Sequence, residues 1–261
     1  DILIYLGSSL NVREVKKNNP DIVIGLADPK PYSYQLVTEV DFCIVSSVEQ
    51  REVFVKYNRN QFIFYMTPIF DSCYKHHQSK DRYKISYHGN LIHLNTSGYT
   101  MIPALLELSN KYSISLELIY NLKGAGKWNL GRPRSSRLHI LDRQWYPNCY
   151  IDYFKGVDIG VMPNFIPNKG LKCSNGPIYR RAFLESSDDH VLKFKSSSNA
   201  GRAFVFSKFG IPVVADATPS ASEFIMDDHS GKLVISAEGW YNAIEDLILS
   251  HKKRNFLAKN S

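Results

Sequence analysis

The feature that most limits what this chain can fold into is an alternation. Short β-rich apolar runs trade places with amphipathic, charge-bearing segments along most of its length. That order is the mark of βαβ units and a parallel sheet. DILIYLG (1–7) reads as a strand, NVREVKKNNPD (11–21) as a polar helix and IVIGLAD (22–28) as the next strand. VDFCIVSS (40–47) and QFIFYMTP (61–68) are two more strands, with a helix over VEQREVFVKY (48–57) between them. Residues 71–83, DSCYKHHQSKDRY, carry no apolar period and read as a linker, so the adjacent His76 and His77 are expected at the surface. A second series then begins. KISYHGN (84–90) is a strand ending in a Gly turn, MIPALLELSNKY (101–112) a helix, and SLELIYN (115–121), LHILD (138–142) and VDIGVMP (157–163) are strands, with a short helix around NCYIDYFKG (148–156). A helix near PSASEFIMDD (219–228), a strand at KLVIS (232–236) and helices to the C-terminus complete it. The expected organisation is α/β with two Rossmann-like domains, 1–76 and 77–261, each a parallel sheet flanked by helices. The chain opens on Asp1 and directly on a strand. The numbering is therefore expected to start inside a longer polypeptide whose upstream residues complete the first domain.

Composition narrows the class. At 261 residues with 44% hydrophobic and 22% charged, the chain can bury a sizeable core and is neither disordered nor fibrous. No apolar run approaches the roughly 18–20 residues that span a bilayer, and no signal-peptide pattern opens the sequence. Cys43, Cys73, Cys149 and Cys173 are far apart and make no metal-ligand spacing, so they read as reduced thiols of a cytoplasmic protein, and no metal site is assigned. The net charge of +7 suits a partner that is anionic, whether phosphate or an acidic membrane face. Lys and Arg are spread without aromatic interleaving, which argues against nucleic acid.

One stretch, FKSSSNAGRAFVFSKFGIPVVADA (194–217), concentrates the chemistry. Ser198 or Asn199 would cap a helix, Gly210 would end it at C′, Pro212 forbids its continuation, and IPVVA reads as a buried parallel strand. A helix start exposes N–H groups and a partial positive charge, to which Ser196, Ser197, Ser198 and Asn199 add donors and Lys195 and Arg202 add full charges. Both a plain polar cap and a phosphate cradle fit this pattern. In ISYHGN, Gly89 followed by Asn90 lets a backbone approach a phosphate closely, while His88 is either a donor to that phosphate or a buried histidine. Asn121, Arg143 and Pro163–Asn164 stand at three more strand ends, where ligands of open α/β sheets sit. The polar excursion 164–193, with Lys169, Lys172, Arg180 and Arg181, reads either as a loop that closes over a ligand or as a surface insertion.

In order and spacing these segments resemble the nucleotide-sugar glycosyltransferases with two Rossmann-like domains (the GT-B fold), particularly the group acting in bacterial surface polysaccharide and glycolipid assembly. The resemblance covers about residues 40–261 and rests on ISYHGN, VDIGVMPN, KSSSN…FSKFGIPVVA and EFIMDDHSGKLV. It implies a nucleotide-sugar donor on the second domain, with its diphosphate between the Gly89 loop and the helix starting near Asn199 and its base near Asp142–Arg143. The donor-binding set is then His88, Gly89, Asn90, Arg143, Lys195, Ser196, Ser197, Ser198, Asn199 and Arg202. Lys195 and Arg202 would offset charge on the leaving nucleoside diphosphate, with no metal and no cofactor. A glycan or lipid-linked acceptor would bind mainly to the first domain, and the basic charge suits peripheral contact with an acidic membrane face. The sequence departs from the family in one respect. Many retaining members carry two glutamates eight positions apart here, where this chain has Ser197 and Val205. No catalytic residue is assigned, and two alternatives follow: a catalytically silent sugar-nucleotide or glycan-binding module, or an epimerase of the same fold using Asp188, Asp189 and His190.

Overall fold

The computed structural model describes residues 1–7, 9–73, 75–97, 100–166, 193–194 and 200–261. These fall into two compact units, the first holding the described residues of Asp1–Thr67 and Ser196–Gly201, the second those of Pro68–Lys195 and Arg202–Ser261. In the first, β1 (Ile2–Leu6), β2 (Val23–Ala27), β3 (Phe42–Val45) and β4 (Gln61–Ile63) pair in that order, all parallel. α1 (Val12–Asn18), α2 (Tyr34–Glu39) and α3 (Val48–Phe54) are the crossovers. Alternate strand residues Ile24, Leu26, Cys43 and Val45 are buried with Val12, Leu36, Val37 and Phe54 in one core. Every crossover steps the same way along the sheet, so right-handedness places these helices on one face. The sequence pattern misses α2, because six residues behind a single 3₁₀ turn at Pro31–Ser33 are too short to show a period.

The second unit is built on a six-stranded parallel sheet. Its strands are β5 (Arg82–His88), β6 (Ser113–Tyr120), β7 (His139–Gln144), β8 (Ile159–Met162), β11 (Val213–Asp216) and β12 (Lys232–Val234), in the order β12-β11-β8-β5-β6-β7. The chain runs outward from β5 through β6 to β7, then returns to β8 on the other side of β5. That reversal creates a topological switch point between β5 and β8. A two-residue antiparallel pair, β9 (Phe165–Ile166) with β10 (Lys193–Phe194), follows β8; the excursion between them lies outside the described residues. The core gathers Ile85, Tyr87, Leu116, Leu118, Ile159, Val161 and Val214 with Leu105 of α5 (Met101–Leu108) and Trp240 and Ile244 of α10 (Ala237–Leu249). The remaining helices are α4 (Leu91–Thr96), α6 (Leu122–Ala125), α7 (Tyr150–Tyr153), α8 (Gly201–Lys208), α9 (Pro219–Ser222) and α11 (His251–Asn260).

α8 ends as its sequence requires. The Ile211 N–H donates to the Phe206 carbonyl (3.0 Å) and the Gly210 N–H to that of Ser207 (2.9 Å), with Gly210 at φ +60°. This is the Schellman closure that needs a residue free to turn left-handed. α8 lies close on the sheet because Gly160 of β8 has no side chain: a Cβ there would stand 2.7 Å from the Phe206 ring.

The linker expectation needs correction. His76 is exposed, but His77 is fully buried. Its Nε2–H donates to the Gly210 carbonyl (2.8 Å), and its backbone N–H and carbonyl both pair with the Asn255 side-chain amide (2.8 Å each). Arg254 Nη2 donates to the Gln78 carbonyl (2.7 Å), and Lys80 lies 2.7 Å from the buried carboxylate of Asp158. A connecting segment laid against a helix must pair its backbone polar groups. Side chains from α11 do so here, and an apolar-periodicity reading sees none of that. Among the described residues no helix is long and apolar enough to cross a membrane.

Candidate functional site

The switch point brings together three strand ends and the first turn of α8. β5 finishes with Tyr87 and His88, both buried, and then turns at Gly89 with φ +139°, a conformation L side chains rarely adopt. The Tyr87 hydroxyl donates to the Asn90 carbonyl (2.6 Å), and the Asn90 side chain caps α4 by accepting from the Ile92 N–H (3.1 Å). Across the turn lies Arg202: its Cδ is 3.0 Å from where a Gly89 Cβ would stand. The guanidinium donates to the Pro163 carbonyl (3.2 Å) and to Asn164 Oδ1 (3.0 Å), and sits over the Tyr87 ring at 5.8 Å. From β11, the buried carboxylate of Asp216 accepts through Oδ2 from the Asn164 and Phe165 N–H groups (2.6 and 2.9 Å) and through Oδ1 from Trp240 Nε1–H (2.8 Å). Burial pushes its pKa up to about 6, opposed by those three donors and Arg202.

Several candidates thereby find their place. Gly89, Asn90, Arg202 and Pro163–Asn164 converge. His88 is the buried histidine of its two readings: its Nε2–H donates to the Arg202 carbonyl (3.2 Å), and the rings of Tyr150, Phe154 and Phe206 surround it at 5.0, 5.6 and 4.8 Å. Desolvation pushes its pKa down to about 3, so the imidazole is neutral and brings no charge to a phosphate. Arg202, expected to face a diphosphate, has its head group bonded to the Pro163–Asn164 turn through two of its five N–H groups. Arg143 stands two strands away at the sheet edge, 3.8 Å from the Glu117 carboxylate and over the Tyr153 ring at 5.4 Å. Beside it, Asp142 is held by Arg132 (2.8 and 3.0 Å) and the Tyr120 hydroxyl (2.9 Å). Val205 is buried in α8. Lys195, Ser196, Ser197, Ser198 and Asn199, with the proposed cap, lie outside the described residues. So do Lys169, Lys172, Arg180, Arg181, Asp188, Asp189 and His190.

Sequence reasoning missed Asp216. A carboxylate closing an otherwise apolar buried strand, IPVVAD, was the available signal. It also missed the half-exposed aromatics at the end of β7, where Trp145 Nε1–H donates to the Tyr150 hydroxyl (2.8 Å).

Two parallel-stranded α/β units of this kind are the GT-B fold, and comparison with solved structures bears that out. No family model and no curated protein matches the sequence. TarM is similar at TM-score 0.64 and 12% identity over 99% of this chain and 50% of that one. The pneumococcal O-GlcNAc transferase GtfA, in complex with UDP and GlcNAc, is similar at 0.61 and 12% over 100% and 52%. HepE of Anabaena, in complex with UDP-glucose, is similar at 0.62 and 12% over 98% and 72%. The chain thus spans about half the length of the first two. At such identity the likeness is one of fold.

Proposed function

We propose that this chain forms part of a glycosyltransferase that moves a sugar from a nucleotide-sugar donor to a glycan or lipid-linked acceptor, and that the donor binds at the carboxyl ends of β5, β8 and β11. The observation that carries this reading is the Gly89 turn at φ +139°, set at the switch point of a sheet whose fold is shared with structures holding UDP, UDP-glucose, or UDP beside α-GlcNAc-glycerol. A left-handed glycine turn at the carboxyl end of a switch-point strand is where an open α/β sheet receives a diphosphate. Lys195 and the hydroxyls of Ser196, Ser197 and Ser198 would then meet the charge that grows on the departing nucleoside diphosphate. An excess of cations favours an acceptor at an anionic membrane surface.

A second reading, a silent sugar-nucleotide-binding module, is favoured by one observation: Val205, where the resemblance expects a carboxylate, is buried and apolar. Calorimetric titration with UDP, followed by an assay for UDP release from UDP-sugars, separates the two. Lys195→Ala should weaken UDP binding about tenfold or more, as loss of a charge-assisted bond worth about 1.5–3 kcal/mol requires. Binding without release supports the silent module, and a parent chain that does not bind UDP removes both readings.

A further inference from the structure

We propose that Asp216 and Arg202 are positioning residues that clamp the Pro163–Phe165 turn at the mouth of the donor site, and that Arg202 does not ligate phosphate; this rests on the donor-site reading above. The turn offers two consecutive N–H groups, Asn164 and Phe165, aimed at one point. Such a pair is an anion-binding nest. Its occupant here is part of the protein, the Asp216 carboxylate at 2.6 and 2.9 Å. The acceptors of the same turn, the Pro163 carbonyl and Asn164 Oδ1, face Arg202 at 3.2 and 3.0 Å. Donors and acceptors of one turn are therefore gripped by opposite charges.

Each charged residue is itself anchored. Trp240, fully buried in α10, holds the second oxygen of Asp216 at 2.8 Å. His88 donates to the Arg202 carbonyl at 3.2 Å, and the Arg202 stem passes against Gly89. The ends of β5 and β8 are thus tied through one arginine, and the site's shape depends on a charge spent inside the wall. Each Nη group directs one N–H into the turn, which fixes the head group against the wall and leaves three of its five N–H groups outside these bonds. The same links explain why a carboxylate is tolerated at the end of a buried strand: three N–H donors and a nearby cation replace its water.

Residue-resolved amide exchange on Asp216→Asn and on Trp240→Phe, with UDP titrations of the parent and Arg202→Met across a range of salt, tests the clamp. Asp216→Asn should speed exchange at Asn164 and Phe165 about tenfold or more while Leu116 and Leu118 of β6 keep parental rates. Trp240→Phe, which keeps one aromatic ring but loses the Nε1–H bond to Asp216, should speed it less, and serves if Asp216→Asn does not fold. Arg202→Met should weaken UDP binding but leave its salt dependence parallel to that of the parent, since screening acts on charges that meet the phosphates. A flattened salt dependence in Arg202→Met, or unchanged exchange at Asn164 and Phe165 in the folded variants, overturns the proposal. Failure of the parent to bind UDP strikes the donor reading alone, because the exchange readout needs no ligand.

Discussion

Lowering the pH from 7 to 5 should destabilise the second unit, and three buried groups set the size of the effect. His77 and His88 sit without water, and desolvation pushes their pKa values from 6.5 down to about 4 and about 3. In the unfolded chain both imidazoles take up protons as the pH falls through 6.5, while the folded protein keeps them neutral. Stability is therefore lost with falling pH, by about 2 kcal/mol for each histidine over this window. Asp216 acts in the opposite sense. Burial raises its pKa from 3.8 to about 6, so the folded state takes up that proton first and regains about 1 kcal/mol over the same window. The net loss is about 2–3 kcal/mol. The carboxyls held low by their partners, Asp41, Asp142, Asp158, Asp228 and Glu245, lose their contribution only below the ordinary carboxylate range, outside this window.

Urea unfolding at pH 7, 6 and 5 measures the slope, and His88→Phe isolates one term. Phenylalanine keeps a ring among Tyr150, Phe154 and Phe206 but loses the bond to the Arg202 carbonyl, so it should be less stable at pH 7 by about 1 kcal/mol. Its loss between pH 7 and 5 should shrink by about 2 kcal/mol relative to the parent. A variant that keeps the full parental slope would refute the argument that His88 is neutral because it is buried.

Two further outcomes follow from the geometry. Gly89→Ala must hold φ near +139° with its new methyl 3.0 Å from Arg202 Cδ and the Tyr87 hydroxyl oxygen; strain of about 1–3 kcal/mol should lower Tm by roughly 2–4 °C per kcal/mol, together with UDP affinity. Unchanged Tm and Kd would mean that the turn relaxes freely. Asn255→Ala removes both bonds to the His77 backbone and should cost about 1–3 kcal/mol while making residues 75–80 cleavable by limited proteolysis; resistance equal to the parent's would show that Arg254 and Lys80 suffice as tethers.

What could be read from the sequence was whatever depends on neighbours in the chain. Buried parallel strands are apolar runs, so IVIGLAD and IPVVA declare themselves, and Gly210 with Pro212 ends a helix by local backbone rules. Partners supplied from elsewhere in the chain leave no such mark. Arg202 looks like a free cation at a helix start until Pro163 and Asn164, 39 and 38 residues away, take its guanidinium. His77 looks exposed until Asn255, 178 residues on, pairs with its backbone.

Strand order decides the rest. His88, Asn121, Arg143 and Pro163 all follow or close strands, and in one dimension these ends are equivalent candidates. Only the placement of β8 across β5 from β6 makes the crevice between β5 and β8 the switch point, leaving Asn121 and Arg143 on the flank. Reversal at that point also explains why the clamp is needed there. Adjacent strands with chain running away on both sides leave two turns that no single connection holds together. Arg202, reaching from α8 against Gly89 on one side and into the Pro163–Asn164 turn on the other, supplies the missing link.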